Sequence, residues 1–323
     1  MNIKKIGLTA LAGSLVATSA MAGEMSISGG AKLSYVTKSG SIATTDVSSG
    51  FAMDQELTAS GSAELDNGYT VSVSHGLATG GSASDTSSLT IDMGDMGAIS
   101  YNDTDGGAGL RSIDDVMPTA YEEVFALTKN KGDSTTVGGN IVIAGVGGDG
   151  LWRYDSPSVG GVTFSAAYQN AAQTGSINSY SDMGIKIAPE AVEGLEIGYA
   201  TGEFDEAAGT LGIDVSTMYA KYTWGSFTVG YQQSENDGPT STDTDESDSW
   251  GVSYAVNDDF SVSYGQHTLD LGSSTSDQES SGFSASYTMG GTTISAAFNE
   301  TDNIRGVASN DEDSYEIALS FAF

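Results

Sequence analysis

From Gly23 to the last residue, apolar and polar positions alternate with a period of two. Ile27, Gly29, Ala31, Leu33 and Tyr35 share one face of an extended segment, with Ser26, Ser28, Gly30, Lys32 and Ser34 on the other. The same reading holds for Met53 to Leu65, Tyr69/Val71/Val73, Leu195/Ile197/Tyr199 and Met218/Ala220/Tyr222/Trp224. It continues through Phe227/Val229/Tyr231, Trp250/Val252/Tyr254, Phe260/Val262/Tyr264, Phe283/Ala285/Tyr287 and Ile294/Ala296/Phe298 to Tyr315, Ile317, Leu319, Phe321 and Phe323. Each run is a half-apolar strand of about nine to eleven residues.

The connections alternate in length. Short ones fall at Asp66-Asn67-Gly68, Asp95-Met96-Gly97, Ser156 to Gly160, Pro189 to Glu193, Gly225, Asn257-Asp258 and Gly290. Longer polar stretches lie around 38–51, 79–86, 104–149, 171–180, 204–212, 235–247, 270–279 and 300–313. Seven short turns and eight long loops predict sixteen strands in one antiparallel meander.

The N-terminus breaks the pattern. Met1 to Ala22 opens with Lys4 and Lys5, continues as an apolar run from Ile6 to Ala17 and ends in Ala20-Met21-Ala22. A basic start, a short apolar core and a small-x-small end are the layout of a secretory signal peptide, and the run is too short to span a bilayer. We therefore expect residues 1–22 to be a cleaved signal peptide and 23–323 to form a single outer-membrane β-barrel domain.

A soluble sandwich and a membrane barrel both alternate. The apolar faces here carry almost no charge, the turns are short on one side only, and Tyr and Trp recur near strand ends, as at Tyr35, Tyr168, Tyr199, Trp224 and Trp250. These features, with export, favour a transmembrane barrel whose apolar face meets lipid and whose polar face lines a lumen. Closure also removes the sheet edges that invite aggregation.

Composition narrows the chemistry. The 323 residues include no cysteine, which excludes disulfides, zinc–thiolate sites and thiol catalysis. The two histidines, His75 and His267, make a His-centred hydrolase improbable. With 43 Asp and Glu against 11 Lys and Arg, the net charge of −32 argues against nucleic acid.

Three features carry a family resemblance: the export site followed directly by the first strand, Trp152 to Pro157 leading into Gly160-Gly161-Val162-Thr163-Phe164-Ser165, and the ending Tyr315, Ile317, Leu319, Phe321, Phe323. The chain resembles a general diffusion porin of Gram-negative outer membranes, of the alphaproteobacterial type. The resemblance implies an all-β, 16-stranded antiparallel transmembrane barrel with a long third loop folded into the lumen. It also implies a homotrimer with one aqueous pore per subunit, in contact with outer-membrane lipid and lipopolysaccharide. The aromatic end at Leu319, Phe321 and Phe323 is similar to the signal read by the barrel assembly machinery.

The longest connection, Asp103 to Gly150, is where function is expected, since a structureless loop of that length is uncommon unless functional. It holds Asp114, Asp115, Glu122 and Glu123 around a helix-like stretch, Pro118 to Leu127, with Ile113, Val116, Met117, Val124, Phe125 and Leu127 available to pin it to the wall. Acids crowded at a constriction concentrate cations and repel anions. Alternatively, these acids solvate an outer loop.

Alternation places Lys32, Arg153, Lys186 and Lys221 on the lumen side. The resemblance implies a basic wall facing the acidic loop; here that set is thin and holds one arginine. Each base either faces the loop or pairs with a neighbouring acid. Arg111, Lys129 and Lys131 lie within the loop itself. Asp243, Asp245, Glu246 and Asp248 offer an external place for divalent cations, or a solvated charge run. The turn Gly147 to Gly150 reads as an ordinary turn.

The function expected is a water-filled, cation-selective channel for passive diffusion of ions and small hydrophilic solutes, with no enzymatic activity and no required cofactor. Alternatives are a substrate-specific outer-membrane channel and a non-conducting surface or adhesive barrel.

Overall fold

Sixteen antiparallel strands pair each with the next, and the last pairs with the first, so the sheet closes into a barrel. This computed structural model describes residues 25–41, 49–78, 84–104, 109–128, 143, 145–146, 150–170, 179–205, 212–238 and 244–323. Residues 1–22, Lys129, Lys131, Asp243 and 147–149 lie outside them. The strands are β1 (Met25–Gly40), β2 (Gly50–Glu64), β3 (Thr70–Ala78), β4 (Ser84–Asp92), β5 (Ala98–Thr104), β6 (Leu151–Asp155), β7 (Val162–Gln169) and β8 (Tyr180–Ile187). They continue as β9 (Leu195–Phe204), β10 (Ile213–Trp224), β11 (Phe227–Asp237), β12 (Asp245–Ala255), β13 (Phe260–Leu271), β14 (Gln278–Met289), β15 (Thr292–Asp302) and β16 (Glu312–Ala322). No helix among the described residues is long and apolar enough to cross a membrane, and the crossing is made by strands.

All seven expected tight turns are present. Trp224 pairs with Phe227 and Met289 with Thr292, leaving two-residue connections whose first members, Gly225 (φ 57°) and Gly290 (φ 63°), occupy the left-handed region that glycine enters at no steric cost.

Strand length departs from the expected nine to eleven residues. β3 to β8 run five to nine residues, while β1 and β2 reach 16 and 15. The wall is therefore low along one side and tall elsewhere. Part of the stretch read as a loop at 235–247 is strand, because β11 and β12 pair up to Asn236 and Asp245.

Burial inverts the pattern of a soluble protein. On β11, outward Val229 and Tyr231 are 51% and 47% exposed, whereas inward Gln232 and Ser234 are 3% and 2% exposed. Outward rings meet across strands, Tyr264 against Phe283 at 4.5 Å and Phe298 against Tyr315 at 4.7 Å, forming the aromatic band of a membrane barrel.

The seam closes as expected. Leu319 lies opposite Leu33 and Phe321 opposite Ala31, and Phe323 exchanges two backbone hydrogen bonds of 3.0 Å with Gly29. Gly29 is small for a reason, since a Cβ there would lie 2.8 Å from the Phe323 ring.

Candidate functional site

The polar lining follows from parity. Lys32, Arg153, Lys186 and Lys221 all point inward, as alternation requires. Against this wall lies the segment 109–128, the longest described stretch of the third loop. Its contacts with side chains on the inward face of β8, β11, β13, β14, β15 and β1 place it inside the barrel.

The segment is latched at its start. Leu110 N–H donates to Asp182 Oδ2 at 2.7 Å, and the Tyr180 hydroxyl donates to the same oxygen at 2.8 Å. Gln232 Nε2 donates to the carbonyls of Ile113 and Asp114, and Val116 N–H donates to Gln232 Oε1 at 3.2 Å. Ala120 N–H donates to Ser263 Oγ and Tyr121 N–H to Ser284 Oγ, while Asn299 Nδ2 donates to the Glu123 carbonyl. At the far end the Thr128 and Thr301 hydroxyls are 2.7 Å apart, and Lys38 Nζ reaches the Leu127 carbonyl.

Apolar residues complete the seat. Leu110, Ile113 and Phe125 are buried with Val215, Tyr219, Leu269 and Leu271 of the inner wall, with Val116, Met117 and Val124 packed alongside. His267 is inward and buried, its ring 4.8 Å from Phe125 in an edge-on contact. It is a seat residue for the loop. His75 shares the outward face of β3 with Val73 and Leu77.

The helix-like stretch Pro118 to Leu127 is not a helix. It forms bends and one turn, in which Ala126 N–H donates to the Glu123 carbonyl and Thr128 N–H to the Phe125 carbonyl. Wall hydroxyls and amides take the backbone groups that a helix would have satisfied internally, and this overrides a weak propensity.

Sequence reading misses the feature that makes room for the segment. Gly230, Gly251, Gly265 and Gly282 stand directly opposite one another across β11 to β14. A Cβ at Gly230 would lie 2.8 Å from Pro118, one at Gly251 3.0 Å from the Pro118 carbonyl, and one at Gly265 3.3 Å from Val124. The row is a trough that lets the loop backbone approach the wall. Its sequence signal is an outward aromatic beside each glycine: Tyr231, Trp250, Tyr264 and Phe283.

The four loop acids differ in setting. Asp115 is exposed. Asp114 is half-buried, and desolvation pushes its carboxyl up to about 7 against the pull of nearby Arg111. Glu122 Oε1 accepts from Lys32 Nζ at 3.4 Å, and the ammonium also stands 5.8 Å from the Tyr121 ring centre. Glu123 is held through its carbonyl.

Of the four bases, Lys32 is joined to the acidic loop. The others pair along the wall. Arg153 Nη2 meets Asp155 at 2.7 Å, and Lys186 and Lys221 flank Glu196 at 3.9 and 3.3 Å, where the Tyr219 hydroxyl also donates at 2.9 Å. Glu196 carries a sequence signal of its own, its inward parity between Leu195 and Ile197.

The external acidic run does not converge. Asp245 points inward, while Glu246 and Asp248 lie on the outward side, Asp248 bonded to the Tyr231 hydroxyl, with Glu246 and Asp248 spaced along the strand. Among the described residues no group of three or more His, Cys, Asp or Glu could hold a metal ion. Strand alternation separates what sequence proximity suggested.

A profile of the Gram-negative porin family matches residues 7–303. The chain belongs to the Gram-negative porins. No curated protein matches the sequence significantly. The porin is similar in structure to an anion-selective porin from Comamonas acidovorans, at 13% identity and a TM-score of 0.69, covering 93% of this chain and 99% of that one. It is also similar to a triple mutant of the Rhodopseudomonas blastica porin, at 13% identity and a TM-score of 0.67, covering 93% of this chain and 100% of that one. These likenesses agree with the sixteen-stranded closed barrel. Members of the family are outer-membrane channels and not enzymes, and this porin is an outer-membrane channel of the same kind.

Proposed function

We propose that the porin conducts ions and small hydrophilic solutes passively through its lumen with a preference for cations. The observation that carries the reading is the imbalance of inward charge. The inward bases of the described strands are Lys32, Lys38, Arg153, Lys186 and Lys221, and each lies within 4 Å of an acid. Inward acids are more numerous, with Asp54, Glu56, Glu64, Asp92, Asp155, Asp182, Glu196, Asp245, Glu312 and Glu316 on the strands. Asp115, Glu122 and Glu123 add to them from the loop, with Asp114 joining above about pH 7. Loop acids at the mouth act over only about 8 Å at physiological ionic strength, so acids inside the narrowed lumen govern permeation. The Comamonas porin is anion-selective; the charge of this lumen argues for the opposite sign.

The same reading takes the chain as exported by a cleaved signal peptide and assembled as a homotrimer through the low wall. Where that wall begins, outward Val71, Val73 and Leu77 of β3 join Ala59, Gly61 and Ala63 of neighbouring β2 in a small, apolar face. Outer-membrane lipid and lipopolysaccharide surround the rest, divalent cations bridging acids to anionic headgroups, and no cofactor takes part. The barrel assembly machinery reads Leu319, Phe321 and Phe323. Deleting Phe323 removes both its bonds to Gly29, and folded, heat-modifiable protein in the outer membrane should fall severely; wild-type amounts would contradict this role.

The channel itself is tested in planar bilayers. Purified protein should insert with ohmic conductance steps, and well-folded protein that stays silent would favour a surface or adhesive role.

A further inference from the structure

A recess in the lumen wall lies across β15, β16, β1 and β2 and is lined by Lys32, which also reaches the loop. Its volume is about 300 Å³, at the lower end of small-molecule sites. The register explains it. Thr293, Ser320, Lys32 and Asp54 stand in one row across the four strands, and the neighbouring row holds Ala322, Gly30 and Glu56. Small residues in that second row hollow the wall, while the first row supplies hydroxyls and charge.

The chemistry is specific in class. Asp54 and Glu56 are acceptor-only carboxylates two residues apart on the same face, and the Thr58 hydroxyl donates to Glu56 Oε1 at 2.9 Å. Among the described residues of the lining, the Lys32 ammonium lies 3.4 Å from Glu122 of the loop. Ser320 and Thr293 carry hydroxyls that both donate and accept. The recess thus offers negative charge at one end and neutral hydrogen-bonding groups at the other.

Resting on the reading of the barrel as an open pore, we propose that this recess is a solute subsite for small hydroxylated primary amines of amino-sugar size. The solute ammonium sits between Asp54 and Glu56, and its hydroxyls meet Ser320 and Thr293. Because Lys32 touches both the recess and the loop, a bound solute stands beside the narrowed part of the lumen and impedes ion flow. The Lys32 ammonium competes with the solute's own.

Single-channel recording tests this with glucosamine in its ammonium form and glucose as the neutral counterpart. Glucosamine should reduce the ion current of the wild type at concentrations about tenfold below those needed with glucose. Asp54→Asn combined with Glu56→Gln should weaken that block about tenfold, and Lys32→Gln should strengthen it. Asp248→Asn, on the outer face, should leave it unchanged. Equal block by the two sugars, or a block that survives loss of both carboxylates, would overturn the subsite. Should the double variant fail to insert, the wild-type glucosamine–glucose contrast and the Lys32→Gln response still decide. Conducting channels without amine preference would overturn the subsite alone, whereas a silent wild type would overturn the pore reading as well.

Discussion

Two arcs of the same inner wall obey one binary pattern and serve opposite ends. On the arc from β11 to β15, one inward glycine on each of β11 to β14 stands among side chains that bind the loop backbone, such as Gln232, Ser263, Ser284 and Asn299. On the arc from β2 to β5, the inward rows read Ser60, Ser74, Ser88, Asn102 and Ser62, Ser72, Thr90, Ser100. The first arc is covered by the loop and its hydroxyls are buried, with Ser280 at 2% and Ser295 at 4% exposed. The second is more open, with Ser62 exposed and Ser60, Ser74 and Ser100 half-buried, though Asn102 at its edge is buried. Polarity tells only that a residue faces inward; side-chain size distinguishes wall that seats protein from wall that meets water.

The largest effect should come from crossing the wall rather than moving along it. Val252 faces lipid next to the glycine row, and Val252→Arg should cost about 2–4 kcal/mol at mid-membrane depth. Arg at inward Ser253 should cost far less, and equal losses in denaturant unfolding would contradict the assignment of faces.

A smaller effect separates the two arcs. Gly251→Leu places a side chain where the Pro118 carbonyl sits, and should cost about 1–3 kcal/mol by overpacking while displacing the loop and raising single-channel conductance. Ser74→Leu on the open arc should stay within about 0.5 kcal/mol and leave the loop seated. If both variants behave alike in conductance, the trough does not position the loop.

A pH dependence is expected from Asp114. Its carboxyl titrates near 7 in the folded chain against an ordinary 3.8, because the seat favours the neutral form. That contribution is complete below about pH 4 and is lost as pH rises through about 7, so seating weakens from acidic to alkaline conditions. Thermal unfolding followed across this range should show the loss, and Asp114→Asn should flatten it.

Much of the fold is legible in the amino-acid sequence. The strand number, the seven tight turns and the inward set Lys32, Arg153, Lys186 and Lys221 follow from alternation and turn residues, which are local signals. The glycine trough is not, because four glycines separated by up to some fifty positions become neighbours only once strand register is fixed. The partner of Lys186 and Lys221 escapes for the same reason, although the parity of Glu196 points to it. The stretch 118–127 reads as helical because its hydrogen-bond partners lie on β13 to β15, far along the chain.

Selectivity is the most direct measure of the account, since it reads the sign of the lumen's charge. In a KCl gradient the reversal potential of the wild type should report cation preference, weakening as salt rises. Neutralising Asp114, Asp115, Glu122 and Glu123 as Asn and Gln should reduce that preference more than neutralising Glu246 and Asp248 on the outward face of β12. Anion preference in the wild type, or a larger change from the second set, would contradict the assignment of the loop as the element that sets the field.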